Sequence, residues 1–276
     1  MKFTFQVIVL LLFFAITLTG CKNSNQKNRE YSVQTDIKFS QTVNSDTLDN
    51  TTIGWGIKKN ENAPPDVPSD VKEMLKKYNG YYLGDTEKKV VYLTFDEGYE
   101  NGYTADILDT LKKNNVKAAF FITGDYAERE PELVRRMAKE GHIIGNHTMN
   151  HPSLPEISLS EYESELKELD ELVYKLCKAK VEYVRPPKGE YSEKTLAVLS
   201  EMGYKTVFWS FAYVDWDVTV SRGGDYAFNQ IYPYLDEGEV LLLHAVSADN
   251  AECLDRFIRT AAEEGYKFGT LDELTK

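Results

Sequence analysis

The feature of this sequence that most limits its fold is a helix-like stretch that ends in a glycine and leads directly into an apolar run. It occurs in MAKEGHIIG, LSEMGYKTVFW and AAEEGYKFG, and LKKNNVKAAFF repeats it with Asn115 in place of the glycine. Glycine and asparagine readily adopt the left-handed conformation that ends a helix. The repeat therefore predicts strands that alternate with helices, which is the pattern of a parallel sheet covered by helices.

Six apolar runs have the length and composition of buried strands. They cover residues 90–95, 118–123, 142–146, 181–185, 206–211 and 240–245. This number of strand–helix units within residues 88–276 favours a small or incomplete barrel over an open sheet. In both architectures the functional side chains lie at the carboxyl ends of the strands.

The first 21 residues have the features of an export signal. Lys2 precedes an unbroken apolar run over residues 7–16, which is much shorter than the ~20 residues that span a bilayer. Residues 1–20 are therefore predicted to be a signal peptide. The ending LTGC resembles a bacterial lipobox, which predicts lipidation of Cys21; a plain signal peptide or a short membrane anchor is the alternative. The prediction is an extracytoplasmic lipoprotein that its acyl chains anchor to the membrane.

Three further segments follow the predicted signal. Residues 21–50 are rich in Asn, Ser, Gln and Thr and are predicted to form a flexible tether. Residues 51–87 are an N-terminal preamble predicted to pack on the domain that follows, and their short helix VKEMLKKYNG is predicted to end at Gly80. Residues 88–276 are the domain that carries the strand–helix repeat.

Charge and cysteine content exclude two classes of function. The net charge is −12 and no block of Lys or Arg stands out, so no nucleic-acid partner is expected, because phosphate binding needs a basic stripe. Cys177 and Cys253 lie in helix-like segments and are predicted to be buried free thiols rather than a disulfide. No CxxC pair is present, which excludes a structural zinc site made of thiolates.

Five of the predicted strands lead into ionisable side chains. These are Asp96 and Glu97 after VVYLTF, His147 and His151 after HIIGN, Arg185 at the end of VEYVR, Asp215 with Trp216 after TVFWSF, and His244 in VLLLHA. Because parallel strands end at one rim, we expect these side chains to lie close together. The remaining histidine, His142, stands at the start of a strand and is predicted to be structural.

The two histidines of NHTMNH indicate a metal site. Their H-x-x-x-H spacing can place both imidazoles on one side of a turn, and a carboxylate from a neighbouring strand end would complete the site. One of Asp96 and Glu97 would then bind the metal, while the other would act as general base on a metal-bound water. His244 is the candidate for the general acid that protonates the leaving group. The reaction implied is hydrolysis of a carbonyl compound.

Five motifs, in this order, resemble those of the polysaccharide deacetylases, the NodB-homology family. They are TFDEG, NHTMNH, RPPKG, the pair Asp215-Trp216 and LLLHAVSADNAECLDRFI, and the resemblance extends over residues 88–271. The segments LKKYNGYYLGD and TFDEGYENGYT resemble in particular the branch of spore-formers that makes muramic δ-lactam. The resemblance implies an α/β fold of the distorted, incomplete (β/α) barrel type and metal-dependent removal of N-acetyl groups from glycans.

The resemblance also implies a role for each motif residue. Glu97 stands where the family usually has aspartate, and it is the one departure from the pattern at the ligand positions. The implied metal is divalent, with zinc expected first and cobalt, nickel or manganese as alternatives. The implied roles are general base for Asp96; metal ligands for Glu97, His147 and His151; orientation of the base for Arg185; general acid for His244, paired with Asp215; oxyanion binding for the backbone N–H of Lys188; and lining of the acetyl pocket for Trp216 and Leu242.

The substrate implied by the branch is the N-acetylmuramic acid of peptidoglycan glycan strands, after an amidase has removed the peptide. The freed amine would then close on the lactyl carboxylate to give the muramic δ-lactam of spore cortex. Two alternatives stay open. One is a deacetylase of peptidoglycan N-acetylglucosamine or of chitooligosaccharides, and the other is a glycan-binding relic whose metal site is damaged at Glu97.

Overall fold

A parallel β-sheet lies at the centre of the chain. This computed structural model describes residues 47–57 and 65–276; the predicted signal peptide, Cys21 and the tether up to residue 46 lie outside these residues. The strands of the described part are β1 (Ile53–Gly54), β2 (Gly80–Tyr81), β3 (Val90–Glu97), β4 (Ala119–Ile122), β5 (Ile143–Asn146), β6 (Tyr183–Val184), β7 (Glu190–Tyr191), β8 (Lys205–Val207), β9 (Val240–His244) and β10 (Lys267–Gly269).

Helices follow most of these strands and cover the outside of the sheet. They are α1 (Ser69–Lys77), α2 (Thr104–Lys113), α3 (Gly124–Arg129), α4 (Pro131–Lys139), α5 (Leu159–Cys177), α6 (Glu193–Glu201), α7 (Gly224–Ile231), α8 (Ala248–Glu263) and α9 (Leu271–Leu274). Short 3₁₀ turns lie at Leu154–Glu156, Pro187–Gly189 and Tyr232–Tyr234. Among the described residues no helix is both long enough and apolar enough to cross a bilayer.

The sheet curls around β3. The strand order is β10-β3-β4-β5-β6-β8-β2, with β9 also paired to β3, and all of these pairs are parallel. A parallel bridge between Phe211 and Leu241 joins the segment after β8 to β9. The described sheet therefore bends back on itself, which confirms the expected distorted, incomplete (β/α) barrel.

The two faces of β3 meet different surroundings. Successive side chains of a strand point to opposite faces. Leu93 and Phe95 belong to the large apolar cluster between the sheet and its helices, whereas Tyr92 belongs to the smaller cluster inside the curl. The next inward-facing positions of β3 are therefore Thr94 and Asp96.

The residues that end the helices were mostly predicted from the sequence. Asn115 has φ 54°, and the glycines at the three predicted helix ends, Gly141, Gly203 and Gly265, have φ of 80°, 89° and 90°. The prediction for the preamble was wrong by one residue. Asn79, with φ 53°, is the left-handed residue after α1, and Gly80 already pairs with β8 as the first residue of β2.

Two predicted strands are shorter in the structure than in the sequence pattern. The run 181–185 contributes only β6, and the run 206–211 leaves the sheet after β8. The backbone N–H groups of Ser210 and Phe211 both donate to the carbonyl of Val240, at 2.9 and 3.2 Å. The backbone changes its hydrogen-bonding partner here from β6 to β9, and this change ends the strand.

The described part of the preamble packs on the edge of the sheet. β2 extends the parallel sheet beside β8, and β1 pairs antiparallel with β7. Trp55 stacks on Phe208 with ring centroids 4.3 Å apart, and its Nε1 donates to the carbonyl of Trp209 at 3.0 Å. This aromatic cluster fixes the segment that follows β8.

Both cysteines of the described part are free. Cys253 is buried, as expected, and burial raises the pKa of its thiol to about 12. Cys177 is only half-buried, because it occupies the last turn of α5 and its thiol donates to the carbonyl of Val173 within that helix. The expectation of two buried thiols was therefore wrong for Cys177.

Candidate active site

The strand ends bring four of the predicted residues to one place. Asp96 and His244 are register partners on the adjacent strands β3 and β9. His147 directly follows β5 and Arg185 directly follows β6. All four are buried or nearly so, and the direct contacts among them are described below.

A buried ion pair forms the base of the site. Arg185 has no exposed surface, and its Nη1 donates to Asp96 Oδ1 at 2.7 Å. Its Nη2 donates to Thr94 Oγ1 at 2.9 Å, and its Nε donates to the carbonyl of Val207 at 3.0 Å. The guanidinium also lies 4.2 Å from the centroid of the Phe121 ring. Arg185 is therefore fixed in one orientation, and it fixes Asp96.

Asp96 is held in its charged form. Burial alone would raise the pKa of this carboxyl, but the charge of Arg185, followed by the neighbouring imidazoles of His147 and His244, more than offsets burial and holds the pKa below its usual range. Asp96 Oδ2 lies 3.5 Å from His147 Nε2. An ionised carboxylate with one oxygen on arginine and the other facing the histidines can accept a proton from a bound water.

The two histidines of NHTMNH lie together and are neutral. Their ring centroids are 4.8 Å apart. Burial lowers the pKa of His147, and burial together with the neighbouring His147 lowers the pKa of His151 to about 4. His147 Nδ1 is 2.8 Å from the carbonyl of Arg185; a neutral imidazole donates there, which leaves the lone pair of Nε2 available. A carbonyl behind a histidine fixes metal ligands in this way.

A turn built from local hydrogen bonds holds this pair. Thr148 and His151 have positive φ values of 68° and 58°, which is unusual for residues other than glycine. Thr148 Oγ1 accepts the backbone N–H of His151 at 3.0 Å, and Asn146 Oδ1 accepts that of Thr148 at 2.8 Å. The strained turn thus depends on the side chains of Asn146 and Thr148.

Sequence reasoning missed the residues that support this turn from behind. Asp170 of α5 accepts Asn146 Nδ2 at 2.8 Å and the hydroxyl of Tyr204 at 2.6 Å. Burial raises the pKa of Asp170 to about 6. The only signal in the sequence was an acidic residue on the apolar side of α5, between Leu166, Leu169 and Val173, and an acidic residue in such a place needs polar partners.

Glu97 lies on the other face of β3. It alternates with Asp96 and shares its side of the strand with Phe95, which packs under the helices. Its side chain is fully buried, and neither carboxylate oxygen has a hydrogen-bond partner among the described residues. Burial, then the charges of Glu100 and Asp96, raise the pKa of Glu97 well above its usual value. Glu97 therefore lies in the helix-facing layer, where burial favours its uncharged form.

The structure therefore does not bring together the three predicted metal ligands, which are Glu97, His147 and His151. Tyr126 also belongs to the helix-facing layer, and the charge of Glu97 helps to raise its pKa. The lowered pKa values of His147 and His151 have other causes, among which Glu97 does not appear. Within the described part of the chain, no three side chains of His, Cys, Asp or Glu are placed so that they could hold one metal ion. The two neutral imidazoles fit a divalent metal, and Glu97 does not reach them.

The predicted general acid is paired as expected from the sequence. His244 Nδ1 lies 2.7 Å from Asp215 Oδ1, and Asp215 Oδ2 accepts the backbone N–H of His244 at 2.8 Å and Asn250 Nδ2 at 2.6 Å. Burial lowers the pKa of His244, but the charge and hydrogen bond of Asp215 outweigh burial and raise it. The imidazole therefore tends to keep its second proton. Asn250, on α8, was not anticipated.

Two of the three predicted substrate-binding residues, Trp216 and Leu242, lie beside this pair. The ring of Trp216 is half exposed and stands edge-on to His244 with centroids 5.5 Å apart. Leu242 is buried on β9, two residues before His244 and on the same side of the strand. Lys188 has φ 60° and stands in the turn after Pro186. Their proposed contacts with substrate stay predictions.

His142 is structural, as predicted. Its Nδ1 accepts the backbone N–H of Ala118 at 3.1 Å, and its ring packs edge-on against Phe120. Burial lowers the pKa of His142 to about 4, so it is a neutral acceptor.

A carboxyl whose pKa is lowered and a histidine whose pKa is raised, on adjacent strand ends at the rim of a curled (β/α) sheet, are the arrangement of a hydrolase that uses general acid–base catalysis. The Polysaccharide deacetylase family model matches residues 83–207. The chain is 43% identical to the peptidoglycan-N-acetylmuramic acid deacetylase PdaA of Bacillus subtilis over 232 residues, which cover 83% of this chain and 88% of that protein.

A second relative has a different named substrate. The chain is 35% identical to a peptidoglycan-N-acetylglucosamine deacetylase of Bacillus cereus over 204 residues, which cover 72% of this chain and 73% of that protein. The solved structure of Bacillus subtilis PdaA, a family 4 carbohydrate esterase, superposes with a TM-score of 0.81 over 82% of this chain and 98% of that one. The chain belongs to the polysaccharide deacetylase family. Members of this family are generally metal-dependent.

Replacing Asp215 by Asn should shift the alkaline limb of the pH profile of kcat/KM to lower pH. The general acid must be protonated, and it loses its proton as pH rises through its pKa. Removing the carboxylate that raises this pKa lowers it, by about 1 unit or more. Asp217→Asn is the matched control, because Asp217 is exposed and, within the described part of the chain, the hydrogen bonds of its side chain go to Thr219. An unchanged limb in Asp215→Asn would contradict the assignment of His244.

Replacing Glu97 by Gln should leave zinc affinity within about threefold of wild type, as measured by calorimetry on chelator-treated protein. His147→Ala and His151→Ala should each lower it by more than the ~10–100-fold typical for loss of a supporting partner. The reason is that Glu97 faces the helices and the histidines face the site. If Glu97→Gln lost as much zinc affinity as His151→Ala, Glu97 would be a metal ligand after all.

Proposed function

We propose that this chain is a divalent-metal-dependent hydrolase that removes the N-acetyl group from N-acetylmuramic acid in peptidoglycan, leading to the muramic δ-lactam of spore cortex. The observation that carries the proposal is the acid–base pair. Asp96 and His244 are neighbours on adjacent strands, and their surroundings move their pKa values in opposite directions. Two such groups can serve as base and acid in one reaction at neutral pH.

The chemistry proposed is hydrolysis of an amide. Asp96 takes a proton from the attacking water while the water oxygen bonds to the acetyl carbon. The C–N bond then breaks, and His244 gives its proton to the leaving nitrogen, so that acetate and a free amine are the products. The backbone N–H of Lys188 is proposed to stabilise the developing oxyanion, which is a large effect in acyl transfer.

The proposed metal is zinc, with cobalt, nickel or manganese as alternatives. His147 and His151 would hold it, and Glu97 is not among its proposed ligands. When bound, such a metal lowers the pKa of a coordinated water and polarises a carbonyl. The chain itself supplies neutral imidazoles, an Arg185 carbonyl that orients His147, and an ionised carboxylate beside them.

The proposed substrate rests on the similarity to PdaA, whose name states its action on N-acetylmuramic acid. In this proposal an amidase has already removed the peptide, and the freed amine closes on the lactyl carboxylate. The proposed location, outside the cytoplasm and anchored through a lipid on Cys21, rests on the pattern of residues 1–21. The relative that acts on N-acetylglucosamine favours a second candidate, a peptidoglycan N-acetylglucosamine deacetylase.

Acetate release from peptidoglycan stripped of its peptides, compared with intact peptidoglycan, should test the function. We expect release from the stripped glycan, loss of release after chelation, and recovery with zinc. Sugar analysis should then show muramic lactam. Asp96→Asn should lower turnover by about 10²–10⁴-fold, the usual contribution of a general base.

Other results would decide between the alternatives. Free glucosamine without muramic lactam would support the second candidate. If wild type with any divalent metal released no acetate from either glycan, yet still bound glycan, the protein would be a binding relic and the proposed function would be wrong.

A further inference from the structure

Exposed apolar side chains concentrate on one loop of the molecule. Among the described residues five large apolar side chains are exposed: Tyr99 at 46%, Val214 at 60%, Trp216 at 52%, Val218 at 45% and Val220 at 54%. Four of these five occupy alternate positions of the loop between β8 and α7. We call the side chains of Val214, Trp216, Val218 and Val220 the apolar strip. Such a concentration marks a binding surface.

Two polar residues, Asp215 and Ser221, fasten the loop, whereas Asp217 and Thr219 are exposed and bond to each other. Asp215 is bound to His244 and Asn250. Ser221 Oγ donates to Asp249 Oδ1 at 2.6 Å. Asp215 and Ser221 thus tie this loop to α8 and to the end of β9. The apolar strip is therefore presented by a backbone that the active-site contacts hold in place.

Asp249 completes the fastening at the far end of the loop. Its carboxylate also accepts the backbone N–H groups of Arg222, at 2.9 Å, and Gly223, at 2.9 Å. These bonds hold the pKa of Asp249 below its usual value, despite some burial. An ionised carboxylate with these donors keeps the loop closed against α8.

One member of the strip, Trp216, stands next to His244. The Trp216 ring is 5.5 Å from the ring of His244, and Val218 and Val220 follow along the loop. A polar cleft runs along the inner edge of the loop, and its lining includes Asn101, Ser221 and Asp249. A ligand on the strip would therefore meet apolar side chains on one side and hydrogen-bonding groups at its edge.

The charge of the loop and the small area of the apolar strip indicate which kind of ligand can bind there. The segment 214–222 carries two carboxylates, Asp215 and Asp217, and one cation, Arg222, so it does not match the anionic lipid surfaces that basic segments bind. A stable contact with a second copy needs about 800 Å² per partner, far more than four side chains offer. A sugar ring has a face of C–H groups and a rim of hydroxyls, and this combination fits the strip and its cleft.

We propose that the apolar strip is a glycan subsite, which binds the neutral sugar residues next to the one that is deacetylated. This inference rests on the proposed action on a glycan polymer, and it extends that proposal to how the polymer is held. It assigns to Val218 and Val220 a role in the preference for long glycan strands over short ones. Neither residue touches the acid–base pair.

The test uses the paired substitution Val218→Ser and Val220→Ser. Binding of peptide-free glycan oligomers to the chelator-treated full chain is measured by calorimetry, with a disaccharide, a tetrasaccharide and an octasaccharide. We expect wild type to bind the octasaccharide more tightly than the disaccharide. The serine variant should lose about tenfold in affinity for the octasaccharide, because apolar contact area is removed, and keep its affinity for the disaccharide.

The matched control is Val218→Leu with Val220→Leu, which keeps the apolar surface and should bind like wild type. Equal affinities of wild type and serine variant for the octasaccharide would overturn the proposal. So would a serine variant that loses binding to phosphatidylglycerol vesicles and not to glycan. Because binding needs no turnover, failure of the proposed deacetylation would appear separately, as absence of acetate release by wild type.

Discussion

The rest of the site depends on one ion pair that is closed off from water. Arg185 is completely buried and donates to Asp96 at 2.7 Å. Two buried charges are stable only when both are paired and hydrogen-bonded, and removal of one partner typically costs about 3–5 kcal/mol. Three further donors of Arg185 are accordingly satisfied, by Thr94 and by the carbonyls of Val207 and Phe208. These partners come from the ends of β3 and β8, and Arg185 itself follows β6, so the pair can form only when the sheet curls.

The same arginine organises both halves of the site. Its side chain holds Asp96 in the charged form, and its backbone carbonyl, 2.8 Å from His147 Nδ1, orients the first histidine. Asp96 is in turn the register partner of His244, whose own partner, Asp215, raises its pKa. The main partner of the base is therefore a cation on one strand end, and that of the acid is a carboxylate on a loop. These partners move the pKa values of the two groups in opposite directions.

The sequence was sufficient for the fold class and for most of the site. Helix caps at glycines and Asn115, and apolar runs between them, indicate the alternation that builds a parallel sheet. Motif residues at the ends of those runs had to meet at one rim. The sequence was not sufficient to show which side of a strand each side chain faces. Asp96 and Glu97 are adjacent, so they point to opposite sides of β3, and two carboxylates cannot both face the histidines while the strand stays extended. Contacts across helices, such as Asp170 with Asn146, leave no local pattern and could not be predicted.

The measurement that tests the central claim most directly is the pKa of the Asp96 carboxyl, followed by carbon-13 NMR in chelator-treated protein. The charge of Arg185, with the neighbouring imidazoles of His147 and His244, should hold it below the usual value of 3.8 despite burial. A pKa at or above that value would contradict the claim, because burial would then outweigh the charge of Arg185 at the point where the strand ends meet.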